Sequence, residues 1–254
     1  MNKPLETIFN RTSLRRYNDI PLKDDELEMI FEAILKAPTA GNMMLYSVLC
    51  IKDERTKKML SKTCDNQEFI AKAPVVMIFL ADMNKMYNYF GYCNVKEHIE
   101  EKGLDYRTGG KASLFLSISD ALIAAQNGVI AGESLGIGSC YIGDVMEHYE
   151  DHKKILDLPD SVFPIGMLTF GYYPKDYKRV YRKRYDKKYV IFDEKYKNLS
   201  EEEFKDMYEE KERAFVKDVH KVNNFGQLLY ERKFGNEFFD EMNRSVNEII
   251  KHWR

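Results

Sequence analysis

The sequence predicts an α/β or α+β domain with a small central sheet, and three observations support this prediction. Segments with helical periodicity outnumber the short apolar runs that are typical of strands. The predicted strands are separated by helical crossovers. The chain has 254 residues, of which 44% are hydrophobic and 31% charged, so we expect a packed core with a well-solvated surface. This length fits one large domain, or one domain with a substantial appendage.

Helices and strands alternate through the first half of the chain. The predicted elements are a short helix over 3–10, an amphipathic helix over 23–36, a strand over 46–51, a charged helix over 54–63 and a strand over 75–81. The helix over 23–36 places acidic residues in its first turn, where the helix dipole favours them, and Pro38 ends it. Residues 83–110 lack clear periodicity, and we expect a mobile insertion over a site there.

The second half begins with a long helix over 112–135 that is apolar around much of its circumference. Such a helix is buried on more than one face, as happens at a subunit interface. The remaining predicted elements are a strand over 139–144, a helix over 149–157, a strand over 162–171, a basic and aromatic segment over 174–197, and charged helices over 200–218 and 237–253 with a loop around Asn223–Gln227.

Charge and cysteine spacing argue against several classes of protein. The formal net charge of −2 disfavours a general nucleic-acid binder, which needs an excess of Lys and Arg. No long apolar run opens the sequence, so we expect no signal peptide. The longest apolar stretch, around residues 75–81, is too short to span a membrane, and the cytoplasm is the expected location. The four cysteines lack metal-ligand spacing, so no metal site is expected.

A cationic segment follows the first helix, with the sequence RTSLRRY over residues 11–17. Arginines bind phosphate through paired, charge-assisted bonds, and Ser or Thr hydroxyls can complete the oxygen shell. The segment therefore suggests an anion site. A solvated basic turn is the alternative, because charge runs usually lie on the surface.

Four further segments could contribute to a ligand site, and each also has an ordinary structural explanation. The small-residue loop over 38–42 would let a flat ligand approach the backbone, or it is a simple helix-ending turn. The amide of Gln67 suits a pyrimidine edge, or it lies in a surface loop. Glycines around the strand in 136–144 either expose backbone N–H groups or allow tight packing. The basic and aromatic segment over 177–185 forms an anion site, a nucleic-acid arm or a charged strand edge.

Taken in order, four segments resemble motifs of the FMN-dependent nitroreductase superfamily, and the resemblance runs from residue 5 to about 196. Residues 11–17 look like its opening R-x-S-x-R, and APTAGN over 37–42 is similar to its S/A-P-T/S-S/A-x-N loop. ESLGIGSCYIGDV over 133–145 resembles its E-S-L-G-L-G-x-x-x-I-G-x segment, and residues 158–174 resemble its L-P-x-x-x-x-P-x-x-x-L-x-x-G-x-P stretch. Within the superfamily, the chain is most similar to NADPH-dependent flavin reductases and oxygen-insensitive nitroreductases.

The resemblance implies an α+β fold with a small, mostly antiparallel central sheet surrounded by helices, in an intertwined homodimer with an extended C-terminal arm. Residues 1–196 would form the FMN-binding domain. Residues 197–254 would form a helical extension that packs on or wraps the partner subunit.

The resemblance also assigns cofactor contacts to individual residues. Arg11, Thr12 and Ser13 would hold the phosphate and ribityl end of FMN, and Arg15 would lie by the N1/O2 edge of the isoalloxazine ring. The other implied contacts are Thr39, Gly41 and Asn42 from a neighbouring loop of the same or the other subunit, Gln67 at the pyrimidine edge, Tyr141, Ile142 and Gly143 near N5, Arg182 and Arg184 at the phosphate, and Arg232 at the 2′-phosphate of NADPH.

Two departures from the family pattern concern the pocket. Met43-Met44-Leu45 stands where many members have Gln-Pro after the Asn, which changes the lining of the substrate pocket. Asp144 stands where Gly is common, which places a carboxylate near the flavin.

The function implied by the resemblance is hydride transfer from NADPH or NADH, through FMN, to nitroaromatics, quinones or flavins in a ping-pong cycle. The redox chemistry would belong to FMN, with Arg15 tuning the ring. Three alternatives stay open: a flavin enzyme with one dedicated substrate, such as a reductive dehalogenase, a flavin-binding protein without turnover, and a basic nucleic-acid module over 177–188. A small-molecule electron acceptor is the expected partner besides a second copy of the chain.

Overall fold

The computed structural model describes residues 2–215 and 221–253. It divides into two compact units, Met1–Arg179 with Glu241–Arg254, and Val180–Asp240. These boundaries differ from the predicted domain boundary between 196 and 197. That boundary stays a prediction, because it concerns packing on a second subunit and the two units are defined within one chain.

The first unit contains a four-stranded sheet and most of the helices. Its strands are β1 (Tyr46–Ile51), β2 (Val75–Asp82), β3 (Ile137–Ile142) and β4 (Val162–Tyr172). Its helices are α1 (Lys3–Asn10), α2 (Asp24–Leu35), α3 (Glu54–Thr63), α4 (Glu68–Lys72), α5 (Asn84–Tyr92), α6 (Val95–Glu101), α7 (Gly110–Ser134) and α8 (Tyr149–Ile155). The last helix, α11 (Glu237–His252), begins in the second unit and lies mostly in the first.

The sheet has the order β1-β2-β4-β3, and all its paired strands are antiparallel. All eight residues of β2 are buried, because helices cover both of its faces. Val75, Met77 and Phe79 point into a core with α2 and α7, while alternate residues such as Val76 and Ile78 point into a second core with α3 and α4. The predicted small, mostly antiparallel sheet is confirmed.

Helix α7 crosses the sheet and contacts all four strands. Ala121, Ala124 and Ala125 are fully buried, and their small side chains allow the helix axis to approach the sheet closely. The helix is long and apolar enough to span a membrane, although core helices of water-soluble proteins meet the same criterion. Its other side carries exposed apolar residues, among them Phe115 and Ile123.

Hydrogen bonds connect Trp253, after the last helix, to the start of α7. The indole nitrogen of Trp253 donates to the Gly110 carbonyl oxygen at 3.1 Å and contacts Ser113 Oγ at 3.0 Å. Ser245 of α11 is fully buried, and its hydroxyl donates to the Met146 carbonyl oxygen at 2.7 Å. These bonds explain why the last helix packs with the first unit.

The second unit contains α9 (Glu201–Arg213) and α10 (Phe225–Lys233). A capping box at Ser200 and Glu203 starts α9. The Lys211 ammonium lies 4.3 Å from the ring centroid of Tyr185 and 5.4 Å from that of Phe225, so cation–π contacts join the helices to the preceding segment.

Two predictions about local structure were wrong, and part of a third concerns residues that the structure does not describe. Residues 83–110, predicted as a mobile insertion, contain α5 and α6. The predicted loop around Asn223–Gln227 is partly helical, because α10 begins at Phe225 with Asn224 as its N-cap. The end of the predicted helix over 200–218 lies outside the described residues from 216 onward.

A close contact at β3 generates a prediction about stability. A Cβ atom on Gly138 would lie 2.5 Å from Leu14 Cδ2 and 2.9 Å from Leu14 Cβ. We therefore expect Gly138→Ala to lower the free energy of unfolding by about 1–3 kcal/mol, the usual effect of overpacking a core. Urea denaturation followed by circular dichroism measures this change.

Gly91→Ala is the matched control. A Cβ atom there meets nothing within 4 Å, and Gly91 lies inside α5, where alanine is the better helix former. The control should unfold at the same or a slightly higher urea concentration than wild type. Equal unfolding midpoints for Gly138→Ala and wild type would contradict the packing described here.

Candidate active site

The cationic segment over 11–17 lies beside β3, at the edge of the sheet. Ser13 forms an isolated parallel bridge with Ser139, and the Leu14 N–H donates to the Ser139 carbonyl oxygen at 2.9 Å. Leu14 is fully buried, and its side chain fills the space above Gly138. We call these contacts between residues 13–14 and Gly138–Ser139 the joint. The joint holds the arginine-rich segment in one register along β3.

Three of the predicted residues converge on one thiol in the middle of β3. Burial raises the pKa of Cys140, while Arg15, Ser13 and Arg11 act in the opposite direction. Arg11 also acts on Tyr141, whose pKa burial nevertheless raises to about 12. The structure therefore brings Arg11, Ser13 and Arg15 together with Tyr141.

Three buried polar atoms beside the joint have no hydrogen-bond partner among residues 2–215 and 221–253: Arg11 Nε, Thr12 Oγ1 and Ser139 Oγ. Buried polar groups are nearly always hydrogen-bonded, so three neighbouring exceptions need an explanation. A ligand with anionic and hydroxyl oxygens would supply an acceptor to the guanidinium and partners to both hydroxyls. The residues present fit a phosphate-bearing, hydroxylated ligand.

Gln67 lies beside Asp144, which is in the turn that follows β3. Its amide nitrogen donates to the Cys64 carbonyl oxygen at 3.1 Å and to the Asp144 carboxylate, which accounts for both of its protons. Phe69, at the start of α4, lies under Arg15, with 5.9 Å between the guanidinium carbon and the ring centroid. Gln67 therefore lies next to the turn that follows β3, and the cationic segment lies beside β3 itself.

A turn with two carboxyl groups follows β3. Asp144 opens a 3-10 turn (Asp144–Met146), and the Glu147 N–H donates to the Asp144 carbonyl oxygen at 3.1 Å. Ile142 is buried and Gly143 is exposed, so the chain leaves the sheet here. Burial, followed by the charges of Asp144, Asp65 and Glu241, raises the pKa of Glu147 to about 8.

The loop over 39–45 lies at the opposite edge of the sheet. The buried Asp120 carboxylate of α7 accepts from the Ala40 N–H at 2.9 Å and from the Leu45 N–H at 3.2 Å. Gly41 and Asn42 have φ angles of +55° and +57°, and both are exposed, while Thr39 is partly exposed. Because β1 and β3 are separated by two strands, roughly 14 Å of sheet lies between the strand that follows this loop and the strand beside Arg11.

The basic segment over 174–197 lies partly in each of the two units, which divide between Arg179 and Val180. In the first unit, Arg179 donates to the Asn10 carbonyl oxygen at 2.7 Å and pairs with Glu133 at 2.6 Å. Arg182, Arg184 and Arg232 belong to the second unit and are exposed. Their predicted phosphate contacts stay predictions.

Four residues at the site were not predicted from the sequence: Ser139, Phe69, Asp120 and Glu147. Asp120 alone had a usable signal, since it is the only charged residue of α7 between Lys111 and Glu133. A lone carboxylate in such a helix indicates a buried anchor. Among residues 2–215 and 221–253, no group of three or more His, Cys, Asp or Glu side chains is arranged to hold a metal ion.

Comparisons with known proteins agree with this architecture. An FMN reductase [NAD(P)H] of Bacillus subtilis is 31% identical over 175 residues, which cover 68% of this chain and 66% of that protein. This chain therefore matches slightly less than two thirds of that relative's length.

Solved structures match over almost the whole chain. The NfrA1 and NfrA2 structures of B. megaterium are 27% and 25% identical, each with a TM-score of 0.79 and 98% of both chains covered. The sequence profile described as the Nitroreductase family matches residues 8–172. This chain is a member of the Nitroreductase family.

Proposed function

We propose that the protein is an FMN-dependent NAD(P)H oxidoreductase. The observation that carries the proposal is the set of three unpartnered buried polar atoms, Arg11 Nε, Thr12 Oγ1 and Ser139 Oγ, beside an arginine-rich segment. The name of the B. subtilis relative, FMN reductase [NAD(P)H], supports the same cofactor and co-substrate.

The residues beside β3 would divide the cofactor between them. Arg11, Thr12, Ser13 and Ser139 would hold its phosphate and ribityl end. Arg15 would place a positive charge by the N1/O2 edge of the ring, and Gln67 and the backbone of 141–143 would border the rest. Bound FMN supplies the acceptance and release of hydride.

The acceptors we propose are nitroaromatics, quinones or flavins, which would exchange with the nicotinamide on one open face in a ping-pong cycle. NADPH is the proposed co-substrate, with Arg232 as a contact for its 2′-phosphate. Arg182 and Arg184 would close on the FMN phosphate. The cytoplasm is the proposed location, consistent with cysteines that carry no disulfide.

A homodimer completes the proposed site. One chain places Thr39, Gly41 and Asn42 at the edge of the sheet opposite Arg11, so a second copy is needed to bring this loop to the flavin. Exposed apolar side chains on two helices support such a contact: Leu5, Ile8 and Phe9 of α1, and Phe115, Leu116, Leu122 and Ile123 of α7. Residues 197–254 would pack on or wrap the partner as the C-terminal arm, in addition to the contacts that Ser245 and Trp253 make within their own chain.

The helices α5 and α6 favour a second candidate, an enzyme with one dedicated substrate. They form an ordered segment, and the Tyr87 hydroxyl accepts from the Gly109 N–H at 3.2 Å. An ordered cover would restrict which acceptor enters. Turnover with one acceptor class only would distinguish this candidate from the broad reductase.

The cofactor is tested by the absorption spectrum and by an arginine variant. Purified wild type should show a flavin spectrum and release FMN on heating. Arg11→Ala should weaken FMN binding by about 1.5–3 kcal/mol, because it removes a charge-assisted bond to the phosphate. Fluorescence titration of the apoprotein with FMN measures the change.

Arg16→Ala is the matched control, since Arg16 lies in the same segment but pairs with Asp176 at 2.9 Å. It should bind FMN as wild type does. An Arg11→Ala variant with wild-type affinity would argue against the phosphate site.

Replacing Arg15 should affect the rate of FMN reduction more than the binding of FMN. Its positive charge would stabilise the negative charge that develops at the N1/O2 edge, so Arg15→Ala should slow reduction by NADPH at least about tenfold while FMN stays bound. Anaerobic stopped-flow spectroscopy measures this step. Arg15→Lys should recover part of the rate, and unchanged reduction in Arg15→Ala would remove Arg15 from the mechanism.

The dimer should depend on the exposed face of α7. Phe115→Glu combined with Ile123→Glu should shift the mass in analytical ultracentrifugation from dimer to monomer, because buried charges without partners destabilise an interface. FMN content should fall in parallel. Leu104→Glu changes an equally apolar, 58% exposed residue outside α1 and α7 and should remain dimeric. A dimeric double variant would show that the subunits meet elsewhere.

A further inference from the structure

Glu147 is a buried carboxyl group that the proposed site does not otherwise use. The residue is 3% exposed, and its buried Oε1 atom has no hydrogen-bond partner in the described part of the chain. An ionised carboxylate in such a position loses its hydration without compensation. The neutral, protonated form is therefore favoured by its surroundings.

The groups that face Glu147 from neighbouring elements strengthen this preference. Asp144 on the same turn, Asp65 after α3 and Glu241 on α11 all raise its pKa, after burial, to about 8. Nearby cations do not compensate. Arg244 of α11 binds Glu150 and Glu241, with contacts of 2.8 Å to each carboxylate.

Neither the buried histidine, His152, nor the buried thiol, Cys64, supplies a positive charge near this turn. Burial lowers the pKa of His152, so this ring is neutral at pH 7, and its Nε2 lies 2.7 Å from Thr63 Oγ1. Burial raises the pKa of Cys64 well above its usual range, so the thiol stays protonated. His148 Nδ1 lies 3.4 Å from the Glu241 carboxylate.

Asp144 differs from Glu147 in its surroundings. Its carboxylate accepts from the Gln67 amide, the side chain proposed to border the flavin ring. The Glu147 N–H donates to the Asp144 carbonyl oxygen at 3.1 Å, and the charge of Asp144 acts on the Glu147 carboxyl group, so the two carboxyl groups are neighbours. Two neighbouring carboxyl groups in unlike environments, one bonded to an amide and one buried with an unpartnered oxygen, form the usual arrangement of a proton donor and its acceptor.

We propose that Glu147 stores the proton that each catalytic cycle consumes and passes it through Asp144 to the electron acceptor. This inference rests on the proposed function. The reaction takes a hydride from NAD(P)H and one proton from the medium, so that a quinone becomes a hydroquinone and NAD(P)⁺ leaves. The proton moves from Glu147 to the Asp144 carboxylate, a proton of Asp144 moves to the acceptor oxygen, and Glu147 regains a proton from solvent.

The first test measures protonation without any turnover. Between the unfolded value of 4.5 and the folded value of about 8, the folded chain binds more protons at Glu147 than the unfolded chain. This contribution makes the free energy of unfolding fall as pH rises through that window, and the slope disappears above it. Urea denaturation of the FMN-loaded protein should show Glu147→Gln gaining stability relative to wild type across the window. A constant difference between the two proteins would overturn the inference.

The second test separates the two half-reactions by anaerobic stopped-flow spectroscopy, with menadione as the acceptor. In wild type, oxidation of the reduced enzyme should slow about tenfold per pH unit above a pH of about 8. Glu147→Gln should slow this step on the order of 10²-fold at pH 7 and remove its pH dependence. Reduction by NADPH should be affected much less. A variant with the wild-type rate and pH profile would overturn the inference.

Two further variants complete the design. Asp144→Asn removes the proposed relay group, so it should slow the same half-reaction. It also removes a charge that raises the pKa of Glu147, so the pH range over which Glu147 affects the free energy of unfolding should move to lower pH. This variant provides a test even if Glu147→Gln fails to fold. Asp151→Asn removes an exposed carboxylate from α8 and should retain the wild-type pH profile. If wild type itself binds no FMN, the proposed function fails, and this result is recognised before any variant is measured.

Discussion

The joint between Leu14 and β3 is the contact on which the proposed site depends. One backbone hydrogen bond to Ser139 and the space above Gly138 hold a segment that carries three arginines. Burying Leu14 stabilises the joint through the hydrophobic effect, whereas solvation of the arginines would otherwise favour a free, mobile chain. Apolar packing thus keeps polar groups in place, and their hydrogen-bonding capacity remains available to a ligand.

The order of the strands explains why this family member needs a second copy in our proposal. The edge strand β3 receives the cationic segment, and the edge strand β1 follows the loop held by Asp120. Helix α7 spans both edges and leaves apolar residues exposed on its outer side. The same helix can therefore fasten the loop in one subunit and form the surface that brings it to the site of the other.

Sequence patterns predicted those parts of the fold in which burial and periodicity coincide. Strand β2 was found because all of its residues are buried, which leaves a continuous apolar run. Helices α5, α6 and α10 were missed, and none of them contains a buried residue. Helices α1 and α9 contain none either and were predicted, so burial alone does not account for the difference. The unpartnered hydroxyl of Ser139 could not be predicted, because it depends on a parallel bridge to a residue 126 positions away.

The charged side chains beside and after β3 would orient a ligand in the proposed site. The arginines lie beside Ser139, and the carboxyl groups of Asp144 and Glu147 lie beyond the last residue of the strand. Three residues of extended chain, from Ser139 to Ile142, correspond to roughly 10 Å before the chain turns, which is more than a Debye length at physiological salt. The low dielectric of a buried site preserves part of the interaction. An anionic group is attracted to the end that carries the arginines. In our proposal, a ligand with a phosphate tail would therefore bind with the phosphate at that end and with its head towards the carboxyl groups, which would supply protons there.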